Sequence, residues 1–119
     1  MQFGPLMESC VPVKMFQLGE GYEGFLLHQI KSRGVIDYIF IFSVFKDKNP
    51  FLYFCAERSK ENKNIFIGVF DEAGHNNLGV DNRCDDSMSF LMKSLEYICE
   101  KLSLDREGIK EIPLREKGK

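Results

Sequence analysis

The 119-residue chain carries 18 acidic and 16 basic side chains, a net charge of −2, and 44% of its residues are hydrophobic. This length suits a single domain, residues 1–119, with a hydrophobic core of its own. The slight negative charge argues against general nucleic-acid binding, because such proteins are usually basic. The most apolar run has eleven residues, far short of the roughly 20 that a membrane-spanning helix needs.

Cysteine usage and the first residues of the chain indicate a cytoplasmic protein. The four cysteines stand at positions 10, 55, 84 and 99, and no pair has the CxxC spacing of a zinc or redox motif. We therefore expect free, mostly buried thiols, as in a reducing compartment. Residues 1–10, MQFGPLMESC, lack the basic start and the apolar stretch of a signal peptide. No motif indicates a cofactor.

Five stretches predict β-strands, at roughly 11–18, 24–32, 35–45, 51–58 and 64–71. Each is rich in β-branched and aromatic residues, and short polar or glycine-containing turns separate them, such as 31–34 and 46–50. Such turns join neighbouring strands best in an antiparallel meander. Pro12 cannot donate a ladder hydrogen bond, so the first strand is predicted at a sheet edge. The tail, 105–119, has room for a short final strand.

The stretch 35–45, VIDYIFIFSVF, is apolar on both faces of the predicted strand. Alternation places Phe40, Phe42 and Val44 on one face and Ile39 and Ile41 on the other. A strand that is apolar on both faces is typical of the middle of a sheet. We therefore expect the other strands to be arranged around it.

Residues 86–104 predict one amphipathic helix. Apolar side chains recur there at three- and four-residue steps, at Met88, Leu91, Met92, Leu95, Ile98, Cys99 and Leu102. Asp85 and Asp86 stand where a helix cap and a favourable dipole charge belong. We expect the apolar stripe to cover one sheet face, which gives an α+β fold of two layers. The second face then lacks an evident cover, and that face or an edge strand offers a route to homodimerisation.

The segment 71–86, DEAGHNNLGVDNRCDD, is predicted to be a long connection of the kind that often carries function. His75 with neighbouring carboxylates suits a divalent metal, and Cys84 with His75 suits a nucleophilic pair. Turn formation by Asn, Gly and Asp explains the same composition. No catalytic or phosphate-binding motif is present, so we favour a protein that is not an enzyme and keep an enzyme or metal site in this segment as an alternative.

The acidic side chains concentrate in one part of the chain. Residues 64–105 contain eight acids and three bases, a net charge of −5. Such a surface favours association with a basic protein. The predicted partner-binding residues are Asp71, Glu72, His75, Asp81, Asp85, Asp86, Glu96 and Glu100. Aromatic rings on an open sheet face also suit single-stranded nucleic acid, but the strands carry few Lys and Arg, and core packing explains the rings.

In length, in the order of meander and helix, and in its acidic patch, the chain resembles small bacterial immunity proteins. The resemblance is one of type and carries no residue correspondences. It implies an inhibitor that covers a basic toxin with an acidic surface. The sequence thus predicts a small protein-binding module with a basic protein partner and no membrane association, and homodimerisation is its first alternative.

Overall fold

A computed structural model describes residues 11–28 and 36–113 of the chain. Their strands are β1 (Val11–Gly19), β2 (Tyr22–His28), β3 (Ile36–Lys46), β4 (Asn49–Ser59), β5 (Ile65–Asp71), β6 (Gly74–Val80) and β7 (Lys110–Ile112), and the helix is α1 (Ser87–Leu102). Short 3₁₀ turns, Asn82–Asp85 and Arg106–Gly108, precede and follow α1. The predicted α+β class is confirmed, whereas the prediction of about five strands is wrong because these residues form seven.

The seven strands form one antiparallel sheet in the order β6-β5-β4-β3-β2-β1-β7. Strands β1 to β6 follow chain order, as predicted for a meander. The chain then passes through α1, which packs on one face of the sheet, and returns at the opposite edge as β7 beside β1. Strand β3 is fourth of the seven, which confirms that the stretch 35–45 contains the central strand.

The predicted long connection at 71–86 is wrong, because it contains β6 and a 3₁₀ turn. Strand β6 has the sequence GHNNLGV, and its Gly and Asn residues have low strand propensity. Pairing with β5 imposes the strand, as in the partners Phe70↔His75 and Val69↔Asn76. Tertiary pairing here overrides local preference.

Strand β1 pairs with β2 on one side and, over three residues, with β7 on the other. Met15, Phe16 and Gln17 pair with β7, so the prediction of an edge strand is wrong for these residues. Pro12 pairs with Leu27 of β2, and the described β7 ladder covers Met15, Phe16 and Gln17. The predicted turn at 31–34, Cys10 and residues 114–119 lie outside the described residues.

The main core lies between the sheet and α1, and Phe90 is at its centre. Phe90 is fully buried, and its ring stacks on Phe40 at 5.4 Å between centroids and contacts Phe54 at 5.8 Å. Phe42 and Val44 of β3 are buried on the same sheet face. The alternation predicted for the central strand is confirmed at these positions, except that Ile39, next to a β-bulge, packs toward this core.

The buried side of α1 differs from the predicted stripe. Its buried residues are Phe90, Leu91, Ser94, Leu95 and Ile98, whereas Met88 and Met92 are 53% and 52% exposed. The predicted stripe is wrong at Met88 and Met92. Phe90, Ser94 and Ile98 form a buried row at four-residue steps, and a hydropathy pattern misses this row because its middle residue is a polar serine. The Ser94 hydroxyl donates to the Phe90 carbonyl at 2.8 Å, so it is satisfied within the core.

The second sheet face carries a smaller cluster, consisting of Leu27, Ile41, Tyr53 and Cys55. Each of the four is at most 3% exposed. The centre of this face is therefore not an exposed apolar surface, contrary to the expectation that it lacks a cover.

The three described cysteines are outside disulfides, as predicted. Cys55 and Cys84 are free and buried, and Cys99 is free and half-buried. Among the described parts of the chain, no helix combines the length and the apolar character needed to cross a membrane.

Candidate interaction surface

Turn chemistry accounts for much of the polar composition around β6. Asp71 accepts a hydrogen bond from the Ala73 amide at 2.9 Å in the β5–β6 turn, and Asn77 accepts one from the Gly79 amide at 2.8 Å. Gly79 follows a register shift in the ladder and has a φ of +103°, which an L side chain rarely adopts. The side chains of Asp71 and Asn77 therefore stabilise local backbone turns.

Asp81 is the centre of an ion cluster directly after β6. Its carboxylate accepts bonds from two guanidinium nitrogens of Arg83 and from Lys93 Nζ, each at 3.0 Å. The side chain of Asp81 is only 9% exposed. These hydrogen bonds, with that of Arg83 first, hold the pKa of Asp81 well below its usual range. The charge of Asp81 is therefore used within the molecule.

Asp86 is the N-cap of α1, as predicted. Its carboxylate accepts from the Ser89 amide at 2.9 Å and from the Ser89 hydroxyl at 3.1 Å. This satisfies one of the amides that a helix leaves unpaired at its start. Three of the predicted partner-binding acids, Asp71, Asp81 and Asp86, thus make intramolecular bonds.

The remaining predicted acids, Glu72, Asp85, Glu96 and Glu100, are exposed. Within residues 11–28 and 36–113, none of the four has a hydrogen-bond or ion-pair partner. Glu72 lies in the β5–β6 turn, in a shallow depression of about 280 Å³ that Lys101 also lines. Asp85 ends the first 3₁₀ turn, at the opposite end of β6.

Glu96 lines a surface groove of about 320 Å³ beside the start of α1. The residues around it are Asp81, Arg83, Cys84, Met88, Ser89, Met92, Lys93 and Glu96. Two acids and two bases among them leave the groove without net charge. The exposed Met88 and Met92 give it an apolar side, since residues four apart share a face of a helix. The sequence pattern missed this feature because it assigned both methionines to the core.

His75 is separated from the acids of the helix layer. It is on the second sheet face, where its ring stacks on Phe70 at 4.4 Å and lies over Gly68. A Cβ built on Gly68 would stand 2.6 Å from His75 Nε2, so the glycine provides the space for the ring. Cys84 is buried in the core on the other face, and the predicted Cys84–His75 pair is therefore not formed.

The second sheet face instead brings His75 near Cys55 and Glu57. Cys55 Sγ lies 3.9 Å from Glu57 Oε1, since residues two apart on a strand share a face. Burial, and then the neighbouring Glu57 charge, raises the pKa of the Cys55 thiol well above its usual value. Burial also raises the pKa of Glu57, against the opposing charge of His75. The thiol is thus held in its neutral form, which is a poor nucleophile.

The metal hypothesis for 71–86 finds no ligand set among the described residues. No group of three or more His, Cys, Asp and Glu side chains converges there in a way that would hold an ion.

Comparison of the chain with protein-family models, with curated proteins and with solved structures finds no match in any of the three.

Proposed function

We propose that this chain is a small, non-enzymatic protein-binding module that engages a basic partner protein. Its most concrete form is an inhibitor of the immunity or antitoxin type. The observation that carries the proposal is the row formed by Met88, Met92 and Glu96 on the solvent side of α1. Two methionines that are each more than half exposed stand there beside the carboxylate of Glu96, which has no hydrogen-bond or ion-pair partner among the described residues.

The chemistry of this row suits a protein interface. Methionine side chains are flexible and polarisable, so they adapt to the shape of a partner. Protein interfaces combine an apolar centre with a polar rim. Met88 and Met92 provide the apolar centre, and Glu96 and Glu100, at four-residue steps on the same helix face, provide carboxylates beside it. The rim attracts Lys and Arg of a partner and repels acidic proteins.

Charge reversal on the helix tests this proposal. Chemical cross-linking in extracts of the source cells, followed by mass spectrometry, identifies partners, which are then purified for binding measurements. We expect a basic partner whose affinity falls at least about tenfold with the double variant Glu96→Lys and Glu100→Lys. The matched control is Glu20→Lys, which makes the same type of charge change in the β1–β2 turn, toward the opposite edge of the sheet from β6, and should leave the affinity unchanged. Equal binding by the double variant and the control would refute the proposal.

Homodimerisation through the second sheet face or an edge strand is the alternative function, and the sheet face is its first route. That route needs exposed apolar side chains at the centre of the face, but Leu27, Ile41, Tyr53 and Cys55 are buried within the single chain. The remaining route for self-association is the edge of the sheet. Sedimentation velocity at tens of micromolar tests it, because ordinary dimers are populated at such concentrations.

A further inference from the structure

The two edges of the sheet are built differently. Strand β7 has three residues, of which Lys110 and Glu111 are charged, and Pro113 follows it. Shortness, charge and proline are the means by which edge strands avoid pairing with other chains. Strand β6 has seven residues and contains no Lys, Arg or Pro. The one feature of β6 that discourages pairing with another chain is the bulge near Gly79.

The outer side of β6 is accessible. Residues 75–80 are all exposed, including Leu78 at 37% and Val80 at 51%. In the part of the chain that the structure describes, β5 is the only strand paired with β6. The outer row of backbone N–H and C=O groups is therefore a template for one more strand.

Acidic side chains stand at both ends of this template. Asp71 and Glu72 are in the turn before β6, and Asp81 and Asp85 follow it, while residues 71–82 contain no Lys or Arg. The first basic residue after this stretch, Arg83, forms an ion pair with Asp81. Among the described residues, neither Glu72 nor Asp85 has a hydrogen-bond or ion-pair partner, so these residues leave both carboxylates available to another molecule.

We infer that β6 binds an extended segment of the basic partner as an added edge strand. In this mode the backbone bonds supply affinity, and side chains at the ends supply specificity. The two acids without a partner among the described residues, Glu72 and Asp85, lie beyond the two ends of β6, whose seven residues span about 23 Å at roughly 3.3 Å per residue. The segment should therefore carry Lys or Arg at two positions about eight residues apart. The basic character of the partner rests on the proposed function, whereas the strand conformation rests on the open edge.

A second copy of this chain is a poor occupant for the same edge. Two β6 strands that pair antiparallel about a two-fold axis place the 71–72 end of one copy against the 81–85 end of the other. Both ends are acidic, and like charges across a strand pair are destabilising. The charge pattern thus favours a basic segment over self-pairing.

Synthetic peptides provide the test on the full chain. The probe is the nine-residue peptide acetyl-KTVTVTVTK-amide, and binding is followed by amide chemical shifts of ¹⁵N-labelled protein at low salt. One control peptide carries N-methyl groups on two adjacent central residues, which removes a donor from each edge of the peptide and keeps its charge. A second control replaces both lysines by glutamate. We expect shifts concentrated at residues 72–82 and at least tenfold weaker binding of both controls.

Protein variants complete the experiment. Glu72→Lys combined with Asp85→Lys should weaken binding of the lysine peptide at least tenfold, and Glu20→Lys in the β1–β2 turn should not. Equal binding of the N-methylated peptide, shifts concentrated on α1, or self-association through β6 in sedimentation would overturn the inference. If the peptide fails while Glu96→Lys with Glu100→Lys still abolishes partner binding, the strand inference is wrong and the proposed function stands. If the peptide binds at β6 but no basic partner depends on Glu96 and Glu100, the proposed function is wrong.

Discussion

Replacement of Phe90 by alanine tests the orientation of α1 on the sheet. The Phe90 side chain is fully buried and contacts the rings of Phe40 and Phe54. Truncation of a buried Phe to Ala typically costs about 3–5 kcal/mol, because apolar contacts are lost and a cavity remains. A domain of this size is stable by about 5–15 kcal/mol, so the loss is a large fraction of the total. Met92→Ala, at a side chain that is 52% exposed, should cost less than about 1 kcal/mol.

Urea unfolding followed by circular dichroism measures both variants. With a slope of about 2 kcal/mol per molar urea, Phe90→Ala should lower the midpoint by about 2 M, and Met92→Ala by less than about 0.5 M. Phe90→Leu keeps most of the volume and guards against complete loss of folding, with an expected cost between those of the two alanine variants. If Met92→Ala costs as much as Phe90→Ala, α1 buries the side that the hydropathy stripe predicts, and the burial of Phe90 with exposure of Met92 described above is wrong.

Three further predictions concern other parts of the fold. Because the pKa of Asp81 is lowered in the folded state, its carboxylate stabilises the fold above the unfolded pKa of about 4, and this stabilisation is lost as the pH falls below that value. Asp81→Asn should therefore lower the free energy of unfolding by about 1–3 kcal/mol at pH 7. In unfolding curves, the difference from wild type should disappear between about pH 4 and 2. In a Cys10→Ser background, the three described thiols should react slowly with Ellman's reagent at pH 8, since burial raises the pKa of each, and one fast equivalent would contradict this. Gly24→Ala should cost about 1–3 kcal/mol, because its Cβ would overlap the buried ring of Phe42. The control Gly108→Ala would place a Cβ in ordinary contact, 3.9 Å from Asp105 Cβ, and should change stability by less than about 0.5 kcal/mol in the same urea assay.

Periodicity predicted those elements whose burial is regular. The central strand follows from a run that is apolar on both faces, and the helix follows from its three- and four-residue spacing. Asp86 was identifiable as a cap because capping depends on residue type and local position. Strand β6 was not identifiable, because Gly and Asn dominate it and its pairing with Phe70 and Val69 of β5 decides its conformation.

The candidate surface could be predicted only in part, because contacts between distant residues decide it as well. The sequence located every acidic side chain, but it did not show which carboxylates are engaged inside the molecule. Asp81 bonds to Lys93, which is 12 positions away and on another element. The exposure of Met88 and Met92 depends on a buried serine, and a hydropathy pattern scores Ser94 as a surface residue. Whether a carboxylate is available to a partner protein therefore depends on its contacts with residues of other helices and strands, and not on its residue type.

The pairing of β7 with β1 has a consequence for how a growing chain folds. The other ladders join strands that are adjacent in sequence, whereas Lys14 of β1 and Glu111 beside it are 97 positions apart and lie 3.4 Å from each other. Local hairpins close quickly, and contacts across such a distance are slow to form. During synthesis the meander can assemble strand by strand, but one side of β1 stays unpaired until residue 112 has left the ribosome. The last ladder to form thus attaches the start of the sheet to the segment that follows the helix.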